Sequence, residues 1–222
     1  MAELIGTAFL SMAVIGSGIA ASRLSPGDAG LQLLENSVAT GAALVALIAA
    51  FQSVSSAFNP VVTLLDVVFK RDDWRSGILL VTAQVVGAVL GALVADIMFG
   101  RRALSLSTDD RGGLAVMLAE AVATLGLLLV VFGLIESRRT RALPYAVGSY
   151  IVAAYWFTSS TSFANPALTI ARTLSDTFAG IDPASAARFL IAQGVGALVA
   201  CGVLGTIWPR RHRFATNASD AE

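Results

Sequence analysis

The sequence has little charge. Only 14% of its 222 residues are Asp, Glu, Lys or Arg, whereas a soluble domain carries about 25%. Fifteen basic and fifteen acidic residues cancel, so no electrostatic attraction to nucleic acid is expected. A single cysteine, Cys201, excludes an internal disulfide, and the single histidine, His212, lies in a basic tail. With 56% hydrophobic residues and a mean hydropathy of +0.76, the composition is that of an integral membrane protein.

Enzymatic motifs are also missing. The sequence contains no Ser/His/Asp set, no cluster of metal-ligating residues and no glycine-rich phosphate loop. We therefore expect neither an enzyme nor a bound cofactor or metal.

Six stretches of the chain are long and apolar enough to cross a bilayer, which takes about 20 residues. Five carry no charge and one is interrupted only by Glu120; they are 4–22, 36–65, 76–95, 113–135, 142–171 and 189–209. The first lacks the basic segment of a signal peptide, so it is interpreted as a span. Basic residues divide nine to six between the two sides, which favours cytoplasmic termini. The basic run 210–213 is interpreted as the charged flank of the last span, which stops transfer of the chain across the membrane.

Two of these stretches, 36–65 and 142–171, are too long for one crossing and too short for two. Each contains an Asn-Pro pair, Asn59-Pro60 and Asn165-Pro166, at the same depth. Asparagine is a good helix N-cap and proline is favoured at the first helical position. Each stretch therefore predicts a full helix, a turn and a half-helix, at about 59–70 and 165–176. A half-helix is tolerated at membrane depth only where it packs on protein or lines a cavity.

An internal repeat relates the two halves of the chain. Residues 58–64 match 164–170, residues 2–7 match 119–124, and residues 83–88 match 192–197. The matches predict repeats at about 1–100 and 112–209, within a single membrane domain that ends in a short cytoplasmic tail at 210–222. Three spans in each repeat place the second repeat upside down. The predicted fold is an all-α membrane protein with six transmembrane helices and two half-helices in an inverted repeat, which is an architecture of transport.

The motifs resemble the major intrinsic proteins, the aquaporins and glycerol facilitators. The resemblance rests on Asn59-Pro60-Val61, Asn165-Pro166-Ala167, the membrane acids Glu3 and Glu120, and a repeated Ala-Gln-x-x-Gly, and it covers residues 2 to about 208. It implies a homotetramer in the lipid membrane with one pore in each subunit, and the two motifs at each pore centre. It also implies that the two glutamates accept hydrogen bonds from the backbone that enters each half-helix.

The paired half-helices predict passive transport of uncharged solutes. Each half-helix N-terminus brings a partial positive charge of about half a unit, which opposes cations and protons at the pore centre. The amides of Asn59 and Asn165 can donate hydrogen bonds to a passing oxygen. A coupled secondary transporter, which would need ion-binding carboxylates near the midplane, and a non-conducting structural protein remain alternatives.

In this family a constriction lies outside the paired motifs, and the resemblance places it at Ala39, Ala153, Ser162 and Leu168. Water-selective members carry a histidine and an arginine where this chain has Ala153 and Leu168. The constriction is therefore expected to be wider and less positive, and to suit glycerol-sized polyols, urea or metalloid hydroxides such as arsenous acid. Bacterial members without the filter arginine resemble channels associated with arsenite. A strict water channel is the alternative.

Other polar and aromatic residues near these motifs receive structural interpretations. Arg172, seven residues after Asn165, can face the same side and partly replace the missing charge, but it is interpreted as a headgroup or loop anchor. Residues 155–157, Tyr-Trp-Phe, are interpreted as an interfacial belt, unless a shifted register of the fifth span brings them to the pore. Gln84 and Gln193 are interpreted as packing or backbone partners. The expected location is a bacterial inner membrane.

Overall fold

The computed structural model describes residues 1–69 and 71–209. Lys70 and the predicted tail at 210–222, with His212 and the basic run, lie outside the described residues. The described chain forms helices joined by loops and turns, and a short 3₁₀ turn, Thr140–Ala142, precedes the sixth α-helix. The α-helices are α1 (Ala2–Leu24), α2 (Ala29–Phe51), α3 (Pro60–Val68), α4 (Trp74–Met98), α5 (Leu114–Glu136), α6 (Leu143–Phe157), α7 (Pro166–Arg172) and α8 (Pro183–Ile207).

The predicted architecture of six crossing helices and two half-helices is confirmed. In the described part of the chain, α1, α2, α4, α5 and α8 have 23 to 25 residues and are apolar enough to cross a membrane. The remaining crossing helix, α6, which is the fifth in chain order, has 15 residues and spans about 22 Å at about 1.5 Å per residue. The 3₁₀ turn before it extends its reach.

Both half-helices begin at the predicted proline and are shorter than predicted. α3 has 9 residues and α7 has 7, where the sequence predicts about twelve in each. The Oδ1 atom of Asn59 accepts the N–H of Val61 at 3.1 Å, and that of Asn165 accepts the N–H of Ala167 at 3.1 Å. These are N-cap bonds, which satisfy donors that the first helical turn leaves free.

The two ends of the molecule are defined by its loops. We call the end with residue 1 and segments 71–73 and 137–142 the N-terminal face, and the end with segments 25–28, 99–113 and 173–182 the distal face. Starting at the centre, α3 returns to the N-terminal face and α7 returns to the distal face. The two half-helices therefore enter from opposite ends and point their N-termini at each other.

Glycines set the close contacts between crossing helices in both halves. A Cβ atom on Gly87 of α4 would collide with the carbonyl oxygen of Leu4 on α1, and one on Gly196 of α8 would collide with that of Ala121 on α5. Small residues let membrane helices approach closely because packing, rather than water exclusion, drives their association. The same contact therefore joins the first and third crossing helices of each half.

Candidate functional site: a central channel

A cavity of about 270 Å³ lies between the crossing helices, and its lining residues come from both faces and from the centre. Thr40, Tyr155 and Arg172 line it towards the distal face. Asn59 and Asn165 line its centre. Acidic side chains, among them Asp66, line it towards the N-terminal face. Pockets for drug-sized ligands measure about 300–1,000 Å³, so this cavity is slightly smaller than that range although it extends between the two faces.

The long walls of the cavity are apolar and follow helical periodicity. Lining residues recur every four positions on the contributing helices, because residues four apart share one face of an α-helix. They are Leu10 and Val14 on α1, Leu44 and Ile48 on α2, Leu127, Val131 and Ile135 on α5, and Leu143, Val147 and Ile151 on α6. An apolar wall offers a solute no hydrogen bond, so polar contacts are confined to the loops, the half-helices and the two ends.

The two asparagines tie the half-helices together at the centre. The Nδ2 atom of Asn59 donates to the carbonyl oxygen of Ala164, and that of Asn165 donates to the carbonyl oxygen of Phe58, each at 2.7 Å. Each amide NH₂ has two donor hydrogens, and each of these bonds takes one. A second hydrogen on each asparagine is therefore left for a group in the cavity.

The carbonyls that accept these bonds belong to strained residues. Phe58 has φ 47° and Ala164 has φ 46°, in the left-handed region that costs a residue with a Cβ about 1–2 kcal/mol. The hydrogen bonds that the N–H groups of these two residues donate to Glu3 and Glu120 offset this cost. Gly6 of α1 makes room for the Phe58 ring, since a Cβ there would overlap it.

A buried carboxylate supports each loop that enters a half-helix. Glu3 accepts the N–H of Ala57 at 2.8 Å and that of Phe58 at 2.7 Å. Glu120 accepts the N–H of Phe163 at 3.2 Å and also that of Ala164. Both glutamates are at most 1% exposed. Each carboxylate thus satisfies two donors of a loop that has no helical partner.

The two glutamines bond to side chains of neighbouring helices, which fits the packing role among the two interpretations and not the backbone role. Gln84 donates to Glu3 at 2.7 Å and to Thr63 of α3 at 2.8 Å. Gln193 donates to Glu120 at 3.1 Å and to Thr169 of α7 at 2.8 Å. A carboxylate, an amide and a threonine therefore form the same network in each repeat, and this network fixes each half-helix to a crossing helix.

Two of the four residues predicted for the constriction line the cavity and two do not. Ser162 and Leu168 line the cavity, whereas Ala39 and Ala153 do not. Ala39 is next to the lining residue Thr40, and Ala153 lies exposed on α6. The lining positions of α6 recur every four residues, so a residue two positions after one of them lies about 200° away, on the far side of the helix. The gap-free spacing behind the prediction does not hold for these helices.

Tyr155 and Thr40 line the cavity instead of Ala153 and Ala39. Tyr155 is 3% exposed, and its hydroxyl lies 3.3 Å from the Thr40 hydroxyl. The neighbouring Trp156 and Phe157 are 51% and 57% exposed, as an interfacial belt requires. The belt interpretation thus fits these two residues and is wrong for Tyr155. The sequence signal for Tyr155 is its four-residue spacing from Ile151, Val147 and Leu143.

Arg172 lies at the same end of the cavity. Its side chain is 3% exposed and lines the cavity. The guanidinium carbon is 3.3 Å from the centroid of the Phe163 ring, and Nε donates to the carbonyl oxygen of Ala179. This burial is incompatible with a headgroup contact, while the bond to Ala179 does fit the predicted loop anchor.

Two inverted repeats around a cavity with apolar walls define a membrane channel. The chain belongs to the major intrinsic protein family, whose profile matches residues 1–164. It is 44% identical over 205 residues to the aquaglyceroporin AqpS of Rhizobium meliloti (strain 1021), across 92% of this chain and 87% of that protein. It is 34% identical over 133 residues to the probable aquaporin NIP7-1 of Arabidopsis thaliana, across 60% of this chain and 46% of that protein. The family resemblance expected from the motifs is confirmed.

A solved structure is similar in fold. The X-ray structure of the aquaglyceroporin from Plasmodium falciparum matches with a TM-score of 0.68, over 91% of this chain and 93% of that chain. Sequence identity between the two is 20%, so this similarity concerns the fold alone.

Proposed function

We propose that the protein is a passive channel for water and glycerol-sized neutral solutes. The observation that carries this proposal is the pair of half-helices whose N-termini point at each other beside the cavity, joined by Asn59 and Asn165. Two positive helix ends at one point disfavour a cation there, while free amide donors accommodate a hydroxyl or carbonyl oxygen. The similarity to an aquaglyceroporin at 44% identity supports the same solute class.

In this proposal, the residues around the cavity act in three groups. The motifs Asn59-Pro60-Val61 and Asn165-Pro166-Ala167 form the pore centre. Glu3 and Glu120 act as structural supports, a role that their bonds to the loop N–H groups favour. Ser162 and Leu168 belong to the constriction, together with Thr40 and Tyr155 in place of the two alanines.

Arsenous acid is a candidate cargo among the larger solutes. Leu168 stands where the family's water-selective members carry an arginine, and a leucine removes both the charge and the donors of that position. The apolar walls of the cavity suit a neutral trihydroxide. At the centre, its hydroxyl oxygens can accept hydrogen bonds from Asn59 and Asn165. Glycerol and urea fit the same description, so uptake of arsenous acid is the next measurement once glycerol flux is established.

Assembly and orientation follow from the family resemblance and the charge pattern. We propose a homotetramer with a pore in each subunit, inserted in a bacterial inner membrane with the N-terminal face in the cytoplasm. The arginines of segments 71–73 and 137–142 lie on that face, which agrees with the preference for positive charge in the cytoplasm. No catalytic role is proposed.

Stopped-flow light scattering on proteoliposomes tests the channel. A sucrose gradient should cause fast shrinkage, and a glycerol gradient should cause fast shrinkage followed by fast reswelling. Ile151→Trp should block both fluxes because Ile151 lines the cavity. Ile191→Trp is the matched control, because Ile191 is 63% exposed on the outer surface of α8.

The outcomes separate the candidate functions. Fast shrinkage without reswelling would make the protein a strict water channel and contradict the wide constriction. Uptake that saturates and follows an ion gradient would favour a coupled transporter. Flux no faster than that of empty vesicles would favour a structural protein.

A further inference from the structure

The buried guanidinium of Arg172 has no anionic partner in the described part of the chain. The salt bridges found there join Arg71 to Glu136 and Arg111 to Asp109. An unpaired cation at membrane depth is costly, so it points to a function in the cavity that it lines. Its position, seven residues after Asn165, is one helical turn beyond Leu168.

The donors of Arg172 are only partly used. Among the described residues, the one hydrogen bond of its side chain runs from Nε to the carbonyl oxygen of Ala179. The two terminal nitrogens carry four more N–H donors. Neither is among the fully enclosed atoms that lack a partner, so each keeps some exposed surface. Because the side chain lines the cavity, these donors are available to water or to a solute.

The contacts around Arg172 fix its guanidinium in place. One face of the guanidinium lies on the Phe163 ring, a cation–π contact that is strong where water is excluded. The loop that supplies the Ala179 carbonyl is itself held by Arg111, which donates to the carbonyl oxygens of Phe178 and Gly180 at 2.9 and 2.8 Å. A long side chain held at Nε and on its face keeps one orientation, which selectivity requires.

We propose that Arg172 supplies the positive charge of the constriction, in place of the residue three positions after Asn165. The inference rests on the proposed channel function. Arg172 repels cations before they reach the half-helices and donates hydrogen bonds to the oxygens of neutral solutes. The short Leu168 side chain keeps the constriction wide, so this channel combines a wide opening with a charged wall. The selected substrates are neutral, oxygen-rich molecules, and the excluded class is organic cations of the same size.

Urea and guanidinium are a suitable pair of probes, since they have similar planar shapes and differ in charge. Radiolabelled urea or guanidinium is added outside the proteoliposomes, and the ratio of the two initial uptake rates is measured. Arg172→Leu should lower the ratio of urea to guanidinium uptake by about tenfold or more, because guanidinium is no longer repelled while urea loses a hydrogen-bond donor. Arg102→Leu removes the same charge from an exposed position on the same face and should leave the ratio unchanged.

A second variant tests the same proposal if Arg172→Leu fails to fold. Leu168→Glu keeps Arg172 and its bond to Ala179 and places a carboxylate one turn away, where it pairs with the guanidinium. It should lower the same ratio by a similar factor. An unchanged ratio in either variant that still passes glycerol would overturn the proposal and leave Arg172 as a loop anchor. Absence of glycerol and urea flux in the unchanged protein would instead overturn the channel function itself.

Discussion

The second repeat depends on Glu120 for the shape of its half-helix loop, so Glu120→Gln is a sharp perturbation. The carboxylate is fully buried and receives the N–H groups of Phe163 and Ala164 and the amide of Gln193. Glutamine has nearly the same shape, but one of its two terminal atoms is a donor and cannot accept. At least one of three buried donors therefore loses its partner.

The size of the effect follows from the bonds that are lost. Hydrogen bonds to a charged group are worth about 1.5–3 kcal/mol each, and the remaining bonds weaken because the new acceptor is neutral. We expect a loss of about 2–4 kcal/mol in the free energy of unfolding. For a chain of this length, 1 kcal/mol corresponds to about 2–4 °C, so Tm in detergent should fall by roughly 5–15 °C.

The assay compares Tm and glycerol flux in three variants. Glu120→Gln should lower Tm and slow glycerol flux, because the carbonyl of Ala164 that Asn59 binds follows the same loop. Exchanging the pair, with Glu120→Gln and Gln193→Glu together, restores the carboxylate–amide contact without restoring both acceptors for the loop, so Tm should stay low. Glu35→Gln, which affects one bond from Ser25 at 2.7 Å, is the control.

Two results would refute this reasoning. A Tm of Glu120→Gln within about 2 °C of the unchanged protein would mean that other contacts hold the loop. Full recovery in the exchanged pair would mean that the contact with Gln193, rather than the support of the loop, is what stabilises the repeat.

Further predictions concern packing, pH and selectivity. Gly87→Ala forces α1 and α4 apart and should cost about 1–3 kcal/mol, while Gly202→Ala, which meets open space, should change Tm little; equal effects would contradict the packing argument. Hydrogen bonds from Ser76 lower the pKa of Asp73 below its ordinary 3.8. Asp73 therefore stabilises α4 above about pH 4 and stops doing so as the pH falls through the lowered pKa. Asp73→Asn should lower Tm more at pH 7 than at acidic pH, where the Asp73 carboxylate itself becomes protonated, and a constant difference would refute the linkage. Leu168→Arg should slow glycerol more than water in stopped flow; equal loss, or no change, would place Leu168 outside the constriction.

The crossing helices and half-helices could be predicted because their signals are local. Charge-free length predicts a span, and an Asn-Pro pair inside such a stretch predicts a cap and a helix start. The ends of the half-helices were not predictable in this way. α7 ends at Arg172 because the N–H groups of Thr173 and Leu174 bond three residues back, a tight turn without a distinctive sequence signal.

The residues that line the cavity could not all be predicted, because the lining depends on the rotation of each helix about its axis. An error of one residue turns a side chain by about 100°, which separates Ala39 from Thr40. Arg172 shows a second limit. Its distance from the centre along α7 is readable in the sequence, but its stacking on Phe163 and its bond to Ala179 come from loops brought together only by folding. The pore-centre and support roles remain predictions that the observed contacts favour.

The crossed bonds at the centre bear on how the protein is made. Asn59 needs the carbonyl of Ala164, which lies 105 residues later in the chain. During synthesis the first half-helix therefore emerges long before its partner exists. Until the second half-helix is made, the Asn59 amide and the strained turn at Phe58 lack that bond. Contacts between such distant residues form late, because the long loop between them must close first. The centre of the channel is thus completed only after the ribosome has delivered the second repeat, so a nascent first repeat has no finished pore through which solutes leak.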